Sequence, residues 1–86
     1  MQLANTTDLM TSDNYKERFY AEYWQTKIRY DKLHSTIVKM EAGTLSFEPK
    51  CSLELLKKQA RIMGKYLHVL EIRAEIEFID LSSSLA

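Results

Sequence analysis

The chain has one cysteine, one proline, two glycines and two histidines among 86 residues. A lone Cys51 excludes an internal disulfide and denies most metal clusters their thiolates. His34 and His68 stand too far apart to form a recognisable metal spacing, and Gly43 and Gly64 are too widely separated to make a phosphate-cradling loop. There is no surplus of either charge: 12 Lys and Arg face 12 Asp and Glu, so no net field draws the chain onto long nucleic acid or an anionic membrane. A neutral total still permits a local cationic pocket. No stretch approaches the roughly 18 apolar residues of a membrane span, and the polar start MQLANTTDLM lacks the apolar run of a signal peptide. Nucleophile, base and orienting group cannot be assembled into a triplet, and Glu75 and Glu77 fall on different helix faces. The expectation is one small soluble domain of a reducing compartment, not an enzyme, with neither cofactor nor metal, whose work is binding.

What the sequence does have is helical periodicity. From Phe19 the series Phe19, Tyr23, Thr26, Tyr30, Leu33, Ile37 and Met40 steps by fours and threes, a heptad stripe. Ser12 is the expected N-cap and Gly43 the C-terminal stop. The connector GTLSFEPKC carries Pro49 and two apolar residues, Leu45 and Phe47, of the kind that pin a loop to the end of a helix pair. Ser52 or Cys51 then opens a second helix with the series Leu56, Ala60, Met63, Leu67, Leu70 and Ala74. The fold class read from this is all-α, a long antiparallel two-helix hairpin over residues 12–79. Residues 1–11 are expected to be flexible or to form a short helix, and 80–86 to end in coil.

Beside the main stripe of the second helix runs another: Leu55, Gln59, Ile62, Tyr66, Val69, Arg73 and Ile76. A hairpin gives each helix one partner, so this stripe must meet something else, and a helical homo-oligomer is the natural cover. Gln59 then reads as a polar residue that fixes register. Arg73 on such a seam asks for an anion, either Glu22 of a neighbouring copy or a phosphate.

The first helix is richer still in rings: Tyr15, Phe19, Tyr20, Tyr23, Trp24 and Tyr30. One flank gathers Tyr15, Arg18, Glu22, Gln25, Arg29 and Lys32 on a single face. Guanidinium groups grip phosphates in pairs and stack on flat rings, a tyrosine ring is a platform for a base, and first-turn N–H groups near Asn14 and Tyr15 favour an anion. Read blandly, the same face is a solvated row of ion pairs. The other flank holds Tyr20, Trp24, Lys27, Asp31 and His34. Its two large rings are too bulky to stay wet, and subunit contact is the expected use.

The pattern of Tyr15, Arg18, Glu22, Arg29 and Leu33, followed by Leu55, Leu56, Gln59, Met63, Tyr66, Leu70 and Arg73, resembles the hairpin domain of the phage anti-CBASS and anti-Thoeris proteins, the cyclic-nucleotide sponges. The resemblance covers residues 13 to 78. It implies a compact hexamer that sequesters cyclic di- and trinucleotide messengers (3′,3′-cGAMP-like) in the host bacterial cytoplasm without cleaving them. Pockets are implied at protomer junctions, with Asn14, Tyr15, Arg29 and Arg73 aligned to ligand contacts and Arg18 nearby. The longer connector, and Arg29 where lysine is common, leave the choice of ligand open. The alternative is a non-catalytic adaptor hairpin that binds a host protein through Tyr20, Trp24 and Phe47.

Overall fold

The computed structural model describes residues 14–82, which fold as two packed helices. The first, α1, is Tyr15–Ala42 and the second, α2, is Leu53–Glu77. Among the described residues there is no strand, so the all-helical hairpin expected from the stripes is what the chain forms. The expectation for residues 1–11 lies outside the described residues.

Each helix end is built from local chemistry. Asn14, in extended backbone, accepts hydrogen bonds at its side-chain oxygen from the N–H groups of Lys16 and Glu17 at 2.9 and 3.2 Å. Such a cap is worth about 1 kcal/mol. The cap is therefore Asn14 rather than the expected Ser12. At the far end Gly43 takes the left-handed conformation (φ 74°), its N–H donates to Met40 and that of Thr44 to Lys39. This is the Schellman closure, in which glycine adopts positive φ without steric cost. Ser52 caps α2 by accepting from Leu55 N–H, one of the two residues expected to do so. At the end of α2 the same closure is made by Phe78 at φ 57°, with Ile79 N–H donating to Ala74 at 2.9 Å.

The core follows the two main stripes, but unevenly. Phe19, Tyr23, Leu67, Leu70, Ala74 and Ile79 form one buried cluster, with Trp24, Tyr30 and Leu81 packed against it. Thr26 and Ile37 are also buried on the α1 stripe, while Leu33, Met40, Leu56, Ala60 and Met63 are only half-buried. The second α2 stripe stays open, Leu55, Ile62, Tyr66, Val69 and Ile76 all being exposed. In the connector Leu45 is half-buried, whereas Phe47 is 61% exposed, not the pinning residue expected.

The chain after α2 is more ordered in its contacts than coil need be. Tyr20 donates its hydroxyl to the carbonyl of Ser82 at 2.8 Å, and the Trp24 indole N–H donates to the carbonyl of Leu81 at 3.0 Å. Asp80 accepts from Ser82 N–H at 2.9 Å, and that bond holds its carboxyl below the usual range. Residues 79–82 thus form a strap across the aromatic flank of α1. Tyr20 and Trp24, expected to be covered by another subunit, are covered by their own chain.

Candidate functional site

The antiparallel packing brings the start of α1 beside the end of α2, and this decides which candidate residues meet. Tyr15 sits directly after the Asn14 cap, on the flank that faces α2. Arg73, about one turn before the end of α2, reaches across: its Nη2 donates to the Tyr15 hydroxyl oxygen at 2.6 Å. Its Nε donates to Glu77 Oε2 at 3.2 Å, and the Tyr15 hydroxyl donates to Glu77 Oε1 at 2.8 Å. Three side chains from two helices close a triangle. Its base is the ring of Phe19, whose centroid lies 5.1 Å from the Arg73 guanidinium carbon and 6.2 Å from the Tyr15 ring. A guanidinium over an aromatic face is held by the ring's quadrupole.

The electrostatics of the triangle follow from its hydrogen bonds. The acceptor Glu77, ahead of desolvation, raises the pKa of the Tyr15 hydroxyl, and Arg73 partly opposes the rise. Tyr15 is therefore a neutral donor at physiological pH. Glu77 stands at the last position of α2, where the helix dipole disfavours a carboxylate by about 0.3–1 kcal/mol at an exposed site. Arg73 offsets that cost. Within the protomer the anion beside Arg73 is Glu77 of the same helix.

Glu22 is engaged elsewhere. It accepts from the Tyr66 hydroxyl of α2 at 3.1 Å and from Thr26 one turn along its own helix at 3.3 Å. Burial first, then the Glu22 charge, raises the Tyr66 pKa. On the core side Tyr23 donates to Glu71 at 2.8 Å. Burial, reinforced by that bond, pushes its hydroxyl up to about 12. Three tyrosine–glutamate bonds therefore cross the hairpin, two from α1 and one from α2. Much of the aromatic surplus of the first helix is spent in closing this end of the fold.

Of the five candidate ligand residues, Asn14, Tyr15 and Arg73 come together. Arg18 lies on the same flank within the first turn of α1 and is exposed. Arg29 shares that face but stands 14 residues on, about 21 Å along the axis from Tyr15 at 1.5 Å per residue. Arg29 is exposed, and one hairpin cannot bring it to the Tyr15–Arg73 pair. One expectation needs correction. The first-turn N–H groups of Lys16 and Glu17 are not open to an anion, because the Asn14 side chain takes both. Gln59 is exposed and donates to the Met63 sulfur at 3.9 Å, on the α2 stripe that the hairpin leaves open to another copy. Glu77 and Tyr66 were missed as neighbours of the site. A signal for them existed: in an antiparallel hairpin, residues equidistant from the connector face each other.

A larger concavity, an open groove of about 870 Å³, runs along the other flank of the hairpin. Tyr30 and His34, stacked at 6.2 Å and 12°, line one wall, and Arg61, Gly64 and His68 the other. None of the five candidate residues lines it. Its Lys57 pairs with Glu41 across the helices at 3.8 Å. In the triangle a guanidinium, a donor hydroxyl and the Phe19 ring are in direct contact, while the groove sets the stacked Tyr30 and His34 rings opposite Arg61 and His68.

The family model named Sequestin matches residues 13–76. The chain belongs to the Sequestin family. Sequestin denotes the anti-CBASS cyclic-nucleotide sponges, so the family resemblance read from the sequence is borne out. Sponge families bind rather than transform, and the ligands implied by this one are small cyclic nucleotides. No curated protein and no solved structure matches the chain. Among the described residues no helix is long and apolar enough to cross a membrane.

Proposed function

We propose that this member of the Sequestin family is a phage-encoded sponge that captures cyclic oligonucleotide messengers of CBASS-type immunity, dinucleotides or trinucleotides, and holds them uncleaved. The observation that carries the reading is the Arg73–Tyr15 bond at 2.6 Å above the Phe19 ring. It sets a phosphate-binding fork beside the exposed Tyr15 ring, on which a base can stack, both on the surface of the protomer. Asn14 and Arg18 complete the near edge of this half-site. Arg29, too distant to serve it within one hairpin, serves a ligand that spans two copies.

The second α2 stripe supports the assembly this requires. Ile62, Tyr66, Val69 and Ile76 are exposed on the face that also carries Arg73. A contiguous apolar face of that kind marks a contact surface. We infer a homo-oligomer, a hexamer on the family pattern, in which the half-sites close where copies meet. The adaptor reading loses two of its three anchors, since Tyr20 and Trp24 lie under the strap.

The test is a thermal-shift series with 3′,3′-cGAMP and a cyclic trinucleotide, followed by recovery of the ligand. A ligand at a hundred times its Kd adds about 2.7 kcal/mol of stability, and it returns chemically intact. Native mass spectrometry of protein from messenger-producing cells reads the subunit number and the retained molecule together. Absence of any shift, or a protein that stays monomeric with ligand, defeats the reading.

A further inference from the structure

The triangle contains one member that a phosphate-binding site does not need. Arg73 Nε and the Tyr15 hydroxyl are the two donors that converge at the half-site, and both are directed at one carboxylate, Glu77, at 3.2 and 2.8 Å. A carboxylate that bridges a guanidinium and a hydroxyl occupies the position that two oxygens of a phosphodiester would take. Glu77 also sits at the negative end of the α2 dipole, an unfavourable place for its charge. It is half-buried, and its partner Arg73 is exposed, so the pair lies where a ligand arrives from solvent. Arg73 does not depend on Glu77 for its position, because the Phe19 ring and the Tyr15 hydroxyl oxygen hold the guanidinium from two other sides.

We propose that Glu77 is a built-in competitor for the phosphodiester ligand: its carboxylate mimics the phosphate in the empty protein and must be displaced from Arg73 and Tyr15 when ligand binds. This deepens the sponge reading and rests on it for the identity of the ligand. Glu77 thereby sets selectivity. A singly charged or neutral group gains little over the resident carboxylate, whereas a cyclic oligonucleotide, with two or three phosphodiesters held at several half-sites, gains enough to displace it.

The experiment compares the full chain with Glu77→Gln and with Glu75→Gln, a neighbouring carboxylate that does not touch Arg73. Calorimetric titration with 3′,3′-cGAMP and a cyclic trinucleotide gives the first arm. Glu77→Gln is expected to lower Kd about threefold to tenfold, the range of a charge-assisted contact at an exposed site, and Glu75→Gln to change it less than twofold. Equal effects of the two variants would reduce Glu77 to a general charge contribution and overturn the proposal. Weaker binding by Glu77→Gln would also overturn it, making Glu77 a positioning residue for Arg73.

A second arm follows the Arg73 Nε–H resonance during titration with inorganic phosphate, which probes the donors whatever the natural ligand is. A larger phosphate-induced shift in Glu77→Gln than in the unmodified chain supports competition, and identical titrations refute it. If no cyclic oligonucleotide binds any of the three proteins, the sponge reading fails while this arm still judges Glu77.

Discussion

The two ends of the hairpin are built to different standards. At the open end, where α1 begins and α2 finishes, Phe19, Tyr20, Tyr23, Thr26, Leu67, Leu70, Ala74 and Ile79 are buried, and three tyrosine–glutamate bonds and a strap tie the helices together. At the connector end only Ile37 is buried, and the stripe residues Leu33, Met40, Leu56 and Met63 stay half-open. The same heptad spacing runs through both. The difference shows that periodicity sets direction, while side-chain size and a third covering layer set burial. The strap supplies that layer at one end. At the other the chain supplies nothing, and two helices alone cannot close a core.

The largest expected effect tests this contrast directly. Leu70→Ala removes a side chain only 2% exposed and is expected to cost about 2–5 kcal/mol. Leu56→Ala, at the half-open end, is expected to cost less than about 1.5 kcal/mol in dilute protein, because much of its surface is wet already. Urea denaturation of both variants at two protein concentrations makes the measurement. A Leu56→Ala cost that matches Leu70→Ala when concentrated and falls on dilution would mean that another copy closes the connector end. Equal costs at every dilution would break the comparison.

Tyr23 gives the next effect and carries a pH signature. Its folded-state hydroxyl titrates near 12, against an ordinary value of 10.0, so the fold favours the neutral phenol. That stabilisation is complete below about pH 10 and is lost as pH rises through 12. Tyr23→Phe is expected to cost about 1 kcal/mol near neutrality by deleting the bond to Glu71. It also flattens the loss of stability between pH 10 and 12 relative to the unmodified chain. An unchanged alkaline slope in Tyr23→Phe would show that the hydroxyl is not held neutral by the core.

The helix C-caps repeat the contrast in the opposite sense. Gly43 closes α1 without strain, whereas Phe78 closes α2 in the same left-handed region while 88% exposed. A side chain with a Cβ costs roughly 1 kcal/mol or more there. Phe78→Gly is therefore expected to raise stability by about 1 kcal/mol in thermal melts, less the extra unfolded-state entropy of glycine. Gly43→Ala is expected to lower it by a similar amount. A destabilised Phe78→Gly would show that the Phe78 ring is covered in the assembled protein.

Much of this architecture was legible in the sequence. The heptad stripes named the buried faces of both helices, and the open second stripe of α2 was visible as a series without a partner. What could not be read was set by distance in space rather than by pattern. The strap, Ile79 to Ser82, is too short to show a periodicity, so nothing local announced that the Leu81 and Ser82 carbonyls would satisfy Trp24 and Tyr20. The Tyr15–Arg73–Glu77 triangle depends on the register between helices, which the ten residues from Gly43 to Ser52 determine only once folded. The sequence did bring Tyr15, Arg18 and Arg29 onto one face. It could not say that Arg73 would join one end of that face and leave Arg29 far down the other.

That separation yields the smallest expected change in stability and the sharpest functional one. Arg29→Ala removes an exposed side chain in the middle of α1, where alanine is at least as good a helix former. Its effect on stability is expected to stay within about 0.5 kcal/mol, and native mass spectrometry should report the same subunit number. If ligand spans two copies, loss of one phosphate contact weakens binding of 3′,3′-cGAMP by about 1.5–3 kcal/mol, the scale of a charge-assisted hydrogen bond. If all contacts lie at the Tyr15–Arg73 end of a single hairpin, Arg29→Ala leaves affinity untouched. The variant therefore asks whether the long, thinly covered reach of α1 beyond Thr26 serves only to hold the hairpin together or also to present a cation to a ligand held by another copy.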